Sequence, residues 1–199
     1  MNKSHSPSVT AFTGQRLLAS GRFSDVVLAV KAEVEEGSEA TVLVFDDATG
    51  HVVDIDLRGS REDVLERHGR QAESPAAGPP SVDDGRKPGR GRPRLGVVAR
   101  EVTLLPRHWD WLSAQPGGAS QALRRLVDQA RAADDGRTAR RAATDAAYRF
   151  MAAMAGNLAG FEEASRALFA GDNARFRAET AAWPPDIRDH AVRMSRLGS

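Results

Sequence analysis

Apolar positions change their period several times along this chain, and each change marks an element. Val9 to Phe12 and Gln15 to Ala19 read as two short strands that turn at Gly14. Phe23, Val26, Val27, Val30 and Val34 then recur at helical spacing, with Ser24 and Asp25 suited to the first turn and Gly37 to the stop. Thr41 to Phe45 and His51 to Leu57 predict a hairpin through Asp46, Asp47, Ala48, Thr49 and Gly50. In its second strand Val53, Ile55 and Leu57 alternate with Asp54 and Asp56, so one face is buried and the other acidic. Ser60 ahead of Arg61, Glu62 and Asp63 fits a capped helix reaching about His68. The expected result is a small acidic ββαββα module over residues 1–68.

Periodicity lapses over 69–94, where Pro, Gly, Ala and Ser dominate, and this segment is expected to be a disordered basic linker. Order is expected to resume at about Leu95. Residues 100–105 suit a short strand that ends at Pro106. Pro106 then favours a helix start, with Trp109, Leu112 and Trp111 as its apolar stripe and a break at Pro116, Gly117 and Gly118. Ser120 is placed to cap a second helix, from Gln121 to about Ala133. Leu123, Leu126, Val127 and Ala130 fall at core spacing there, and Arg124, Arg125 and Arg131 lie outside.

The last third, 135–199, reads as a helical region. An Ala-rich helix over 138–157 carries Ala142, Ala146, Phe150, Met151 and Met154 on one stripe. A helix over 161–170 ends at Gly171. Asp172 caps a third, with Phe176, Ala181 and Trp183, which Pro184 and Pro185 stop. The last runs from Asp186 to Leu197 with Ile187, Ala191 and Met194 inward. The fold class is therefore α+β.

Charge sharpens this picture more than composition does. The formal net charge is only +1, yet residues 33–66 carry −9, and residues 85–100 hold six basic side chains and no acid. Such asymmetry points to a charged partner for one segment, or to attraction between the two. The six are Arg86, Lys87, Arg90, Arg92, Arg94 and Arg100. Pro and Gly keep their backbone extended, thin enough for the narrow minor groove of A·T-rich duplex DNA, where guanidinium groups meet enhanced negative potential. A solvated basic linker is the plainer reading of the same residues. Without cysteine, disulfides and thiolate zinc sites are excluded. Residues 1–7 lack the apolar core of a signal peptide and no run of about 18 apolar residues occurs, so a cytoplasmic protein with no membrane partner is expected.

Catalytic chemistry finds little support. Asp46 and Asp47 suit a turn, Asp54 and Asp56 the solvent face of a strand; His51 has no partner at ligand spacing, and His108 has only Asp110, two residues away and on a different helix face. No nucleophile elbow, phosphate loop or zinc motif appears, so neither enzyme activity, metal nor cofactor is expected.

Three resemblances follow from these residues. Arg90, Gly91, Arg92 and Pro93 resemble the core of an AT-hook, which implies contact with A·T-rich minor grooves. The order strand, helix, Gly-containing turn, helix over residues 100–131 resembles a ribbon-helix-helix unit within 95–134. That implies a homodimer paired through the 100–105 strand, a ribbon in the major groove, and a phosphate held at the turn of Gly118, Ala119 and Ser120. Two ribbon registers compete. One sends Arg100, Val102 and Leu104 toward DNA; the other, preferred, sends Glu101 and Thr103. Finally, the stretch from Gly96 to Leu112, Gly160 to Ala164, and Trp183 to Arg188 resemble a bacterial family known as domain of unknown function 2239. This implies a bacterial, cytosolic protein with this segment order and no particular activity. The expected function is a dimeric DNA-binding regulator or nucleoid-associated factor. The alternative is a non-enzymatic scaffold whose basic linker contacts acidic partners or its own N-terminal module.

Overall fold

The computed structural model describes residues 8–37, 40–73 and 100–196. Residues 8–73 and 136–196 of these belong to one unit and 100–135 to another. The linker residues 74–94, and with them Arg86, Lys87, Arg90, Gly91, Arg92, Pro93 and Arg94, lie outside the described residues.

The first unit is built on three antiparallel strands, β1 (Ser8–Thr13), β2 (Arg16–Arg22) and β3 (Val42–Asp46), in the order β2-β1-β3. The helix α1 (Phe23–Glu35) follows β2 directly. Strand β1 pairs Val9 with Gly21 on one side and Thr10 with Phe45 on the other, with a bulge between Ala11 and Phe12. Alternation sends Val9, Ala11 and Val44 to one face, where they pack on Val26 and Val30 of α1. The opposite face presents Phe12 and Phe45.

That second face is covered from the far end of the chain, by α5 (Arg137–Ala155) and α8 (Pro185–Ser195). Phe150 of α5 sits 5.4 Å from the Phe12 ring and 5.0 Å from that of Phe45. Each such fully buried aromatic contributes roughly 1.5–3 kcal/mol relative to exposure. The N-terminal module and the C-terminal helical region, expected as separate segments, thus share one core. The reason is in β3: Val42, Leu43, Val44 and Phe45 form an unbroken apolar run, which requires cover on both faces.

Two shorter helices, α6 (Phe161–Ala170) and α7 (Asn173–Glu179), complete that core with Leu168 and Phe176. Trp183 is buried beside them, and its indole N–H donates to the Ala159 carbonyl at 2.8 Å. Asp172 caps α7, accepting from the Arg175 N–H at 3.0 Å. Edge strand β2 is blunted by α8: the Asp186 carboxylate accepts the Leu17 N–H at 2.7 Å.

Several expectations need correction. His51–Leu57 is not a strand; a single bridge joins Phe45 and Val52, so the module has three strands rather than the four of ββαββα. Val53, Ile55 and Leu57 are nevertheless half-buried against the α1 face. Apolar burial alone produced their alternation, and burial does not require a ladder. Helix α2 (Arg61–Glu73) runs past His68, and its start is the expected box. Ser60 Oγ accepts from the Asp63 N–H at 3.1 Å, and Asp63 Oδ2 from the Ser60 N–H at 2.9 Å. In α5, Ala146, Phe150 and Met151 are buried and Met154 half-buried as expected, but Ala142 is exposed and Ala143 takes its inward place.

Candidate nucleic-acid interface

The second unit is a helical hairpin, α3 (Pro106–Ser113) and α4 (Gly118–Ala133). Leu105 precedes α3 in extended conformation (φ −67°, ψ 149°) and Pro106 holds the first helical position, where its missing N–H costs nothing. Gly117 turns the chain at φ 82°, a conformation that glycine adopts without strain.

The site residues expected from sequence fall as follows. Arg100, Glu101 and Thr103 are all exposed, and residues 100–105 form no strand in the single chain, so neither ribbon register is realised there. A ribbon of this kind takes its partner from a second chain, which one chain does not contain. Gly118 and Ala119 are half-buried and Ser120 exposed. Ser120 is not a cap: α4 begins two residues earlier, with Gly117 as N-cap, because the glycine pair accepts the left-handed turn that serine would resist. The Gly118 N–H donates to the Gln115 carbonyl at 2.9 Å, and the Gln121 side chain lies against Gly117, over the start of α4.

The hairpin hides few side chains. Leu112 and Ala122 are buried, whereas Val102, Leu105, Trp109, Trp111, Leu126 and Val127 are exposed. The stripes expected for α3 and α4 are present, but Trp109, Trp111, Leu126, Val127 and Ala130 do not lie in a core. Arg107, Arg124, Arg125 and Arg131 are exposed as well. Arg124 bonds the Ser120 carbonyl at 3.1 Å and Arg125 reaches Gln115 Oε1 at 3.5 Å, contacts that leave their charge uncompensated.

Sequence reasoning missed one constellation, which lies in the first unit. Asp47 accepts from Ser8 Oγ and from Thr10 Oγ1, each at 2.8 Å, and Thr10 Oγ1 lies 2.9 Å from Ser20 Oγ. His190 of α8 points its Nε2 at Asp47 Oδ1, 3.7 Å away, and this buried nitrogen has no hydrogen-bond partner. The Arg193 guanidinium contacts His190 Nδ1, which leaves the ring proton on Nε2. Burial, reinforced by the Arg193 charge, lowers the His190 pKa to about 3, so the ring is neutral and the Asp47 contact is not an ion pair. A neutral His beside a carboxylate and hydroxyls could move a proton. Thr10 and His190 are both buried, however, and the rings of Phe12 and Phe150 wall the imidazole, which describes a structural tie better than an open site. The legible signal was position: His190 falls on the inward stripe of Ile187, Ala191 and Met194.

Two of the acids singled out from sequence, Asp56 and Asp46, are engaged locally. Arg58 forks onto Asp56 at 2.9 and 2.8 Å and holds its carboxyl well below the usual range. Asp46 accepts from the N–H groups of Ala48 and Thr49, closing the turn. Among the described residues no three His, Asp or Glu side chains converge as metal ligands, and no helix is long and apolar enough to cross a membrane.

No curated protein and no solved structure matches the chain. A family model does, over residues 8–195, a span that takes in both units. The chain therefore belongs to the bacterial family described as "Uncharacterized protein conserved in bacteria (DUF2239)".

Proposed function

We propose that this protein binds double-stranded DNA as a homodimer, as a transcriptional regulator or nucleoid-associated factor, and that it works without catalysis or cofactor. One observation carries the reading. A hairpin that buries only Leu112 and Ala122 keeps its arginines exposed, and residues 101–105 alone separate it from a run of six basic residues with no acid among them. So small a core is marginal alone, and a second copy paired through residues 100–105 would enlarge it. Arg90, Arg92 and Arg94 would enter an A·T-rich minor groove, while Glu101, Thr103 and the turn at Gly118–Ser120 would meet the adjacent major groove and backbone. Gln121 would have to swing aside for that turn to hold a phosphate.

The test is fluorescence anisotropy of full-length protein with A·T-rich and G·C-rich duplexes over a salt series. Tighter, salt-steep binding to the A·T-rich duplex supports the reading. No binding at about 100 mM salt overturns it.

A second reading, a scaffold whose basic tract meets acidic partners or its own N-terminal segment, draws on the −9 charge of residues 33–66. Part of that charge is already spent internally: Glu33 pairs with Arg16, Glu35 with Lys31, and Asp56 with Arg58 and Arg67.

A further inference from the structure

Strand β3 is paired along only part of its outer edge. There the Asp46 N–H donates to the His51 carbonyl at 3.0 Å and the Val53 N–H to the Val44 carbonyl at 2.7 Å. Backbone groups alternate sides along a strand, so the N–H and C=O of Val42 face the same way as those of Val44 and Asp46. Among the described residues Val42 finds no hydrogen-bond partner on that side, because the chain after Val53 diverges instead of continuing the ladder. Between β3 and the diverging chain lies a cavity of about 310 Å³, lined chiefly by Val30, Val34, Val42, Val53, Ile55 and Leu57.

The groove is thus apolar along its walls and hydrogen-bonding at one edge, and its rim has a sign. Asp54 lines it, is exposed, and has no ion-pair partner among the described residues. Two cations nearby are already taken. Lys31 Nζ is held by the Leu57 carbonyl at 3.2 Å and Glu35 at 2.9 Å, and Arg58 is folded onto Asp56. Val34, on the last turn of α1, is half exposed at the mouth.

The geometry points to this groove as the docking site for an extended, apolar segment of a partner protein that carries a Lys or Arg. Its backbone completes the edge at Val42, its alternate side chains enter the groove, and its cation meets Asp54. Affinity then comes from apolar burial and main-chain bonds, and choice of partner from the charge. The proposal is independent of DNA binding.

Two synthetic peptides test it on ¹⁵N-labelled full-length protein, acetyl-Lys-Leu-Val-Val-Lys-amide and its Glu-flanked counterpart. The Lys peptide should cause saturable amide shifts at Val42, Val44 and Val53 and bind on the order of tenfold tighter than the Glu peptide. Asp54→Lys should abolish or reverse that preference, and Val34→Glu should weaken both peptides, with the remaining spectrum unchanged. Absence of saturable shifts at these amides up to millimolar peptide, or equal affinity for the two peptides, overturns the proposal.

Discussion

Asp47 and His190 lie 143 positions apart in the chain and 3.7 Å apart in the fold, a carboxylate facing a neutral, buried imidazole. Asp47 is anchored by two β1 hydroxyls, and His190 is clamped between the rings of Phe12 and Phe150 and the Arg193 guanidinium. The pair brings the turn after β3 against the last helix.

This geometry makes stability pH-dependent. An unfolded His titrates near pH 6.5, whereas His190 in the fold resists protonation down to about pH 3. Between those values the unfolded chain binds the extra proton, so stability falls as pH drops and is fully present above about 6.5. The cleanest window is pH 6.5 to 4.5, before the carboxylates protonate. Urea midpoints of the native protein should fall there, and those of His190→Gln should stay nearly flat. Parallel curves would show that His190 does not titrate in this way.

Phe150→Ala should cost about 3–5 kcal/mol, since it removes the side chain that joins Phe12, Phe45 and α5. Because both ends of the chain meet at that ring, sheet and C-terminal helices should lose structure in one transition. Far-UV dichroism and Trp183 fluorescence, followed against urea in a Trp109→Phe, Trp111→Phe background, would show whether the two signals still coincide.

Gly50 holds φ +70°, and a Cβ there would overlap the backbone carbonyl of Ala146. Gly50→Ala should therefore destabilise by about 2 kcal/mol or more. Gly14, at φ +57° with open space around it, provides the control. Gly14→Ala should cost only the strain of the left-handed conformation, about 1 kcal/mol. Equal losses in thermal melts would mean that the approach to α5 carries no weight.

On the DNA-binding reading, Arg90→Ala with Arg92→Ala should weaken binding to A·T-rich duplexes and lower the slope of log affinity against log salt by up to about 2. The anisotropy salt series measures both, and an unchanged affinity and slope would remove the minor-groove role from Arg90 and Arg92.

Helix starts and turns were readable because their causes are local. The Ser60–Asp63 box, the Asp172 cap and the proline at 106 act within one turn of chain. The alternation of Val53, Ile55 and Leu57 was also readable, but it reports which side is buried and says nothing of a hydrogen-bonded neighbour. The stripe of α4 is real in the same limited sense, since periodicity names an apolar face without naming what covers it. His190 was missed because a lone His on an inward stripe acquires meaning only from what stands opposite.

Local chemistry along the chain was therefore enough to set the α+β class, most of the element boundaries and the separation of acidic from basic segments. Only tertiary structure decided that β3 pairs with β1, that Phe12 and Phe45 pack on α5 and α8, and that Asp47 meets His190. Those contacts join residues from tens to well over a hundred positions apart. No local propensity selects one distant apolar or polar partner over another; shape and burial of both sheet faces make that choice.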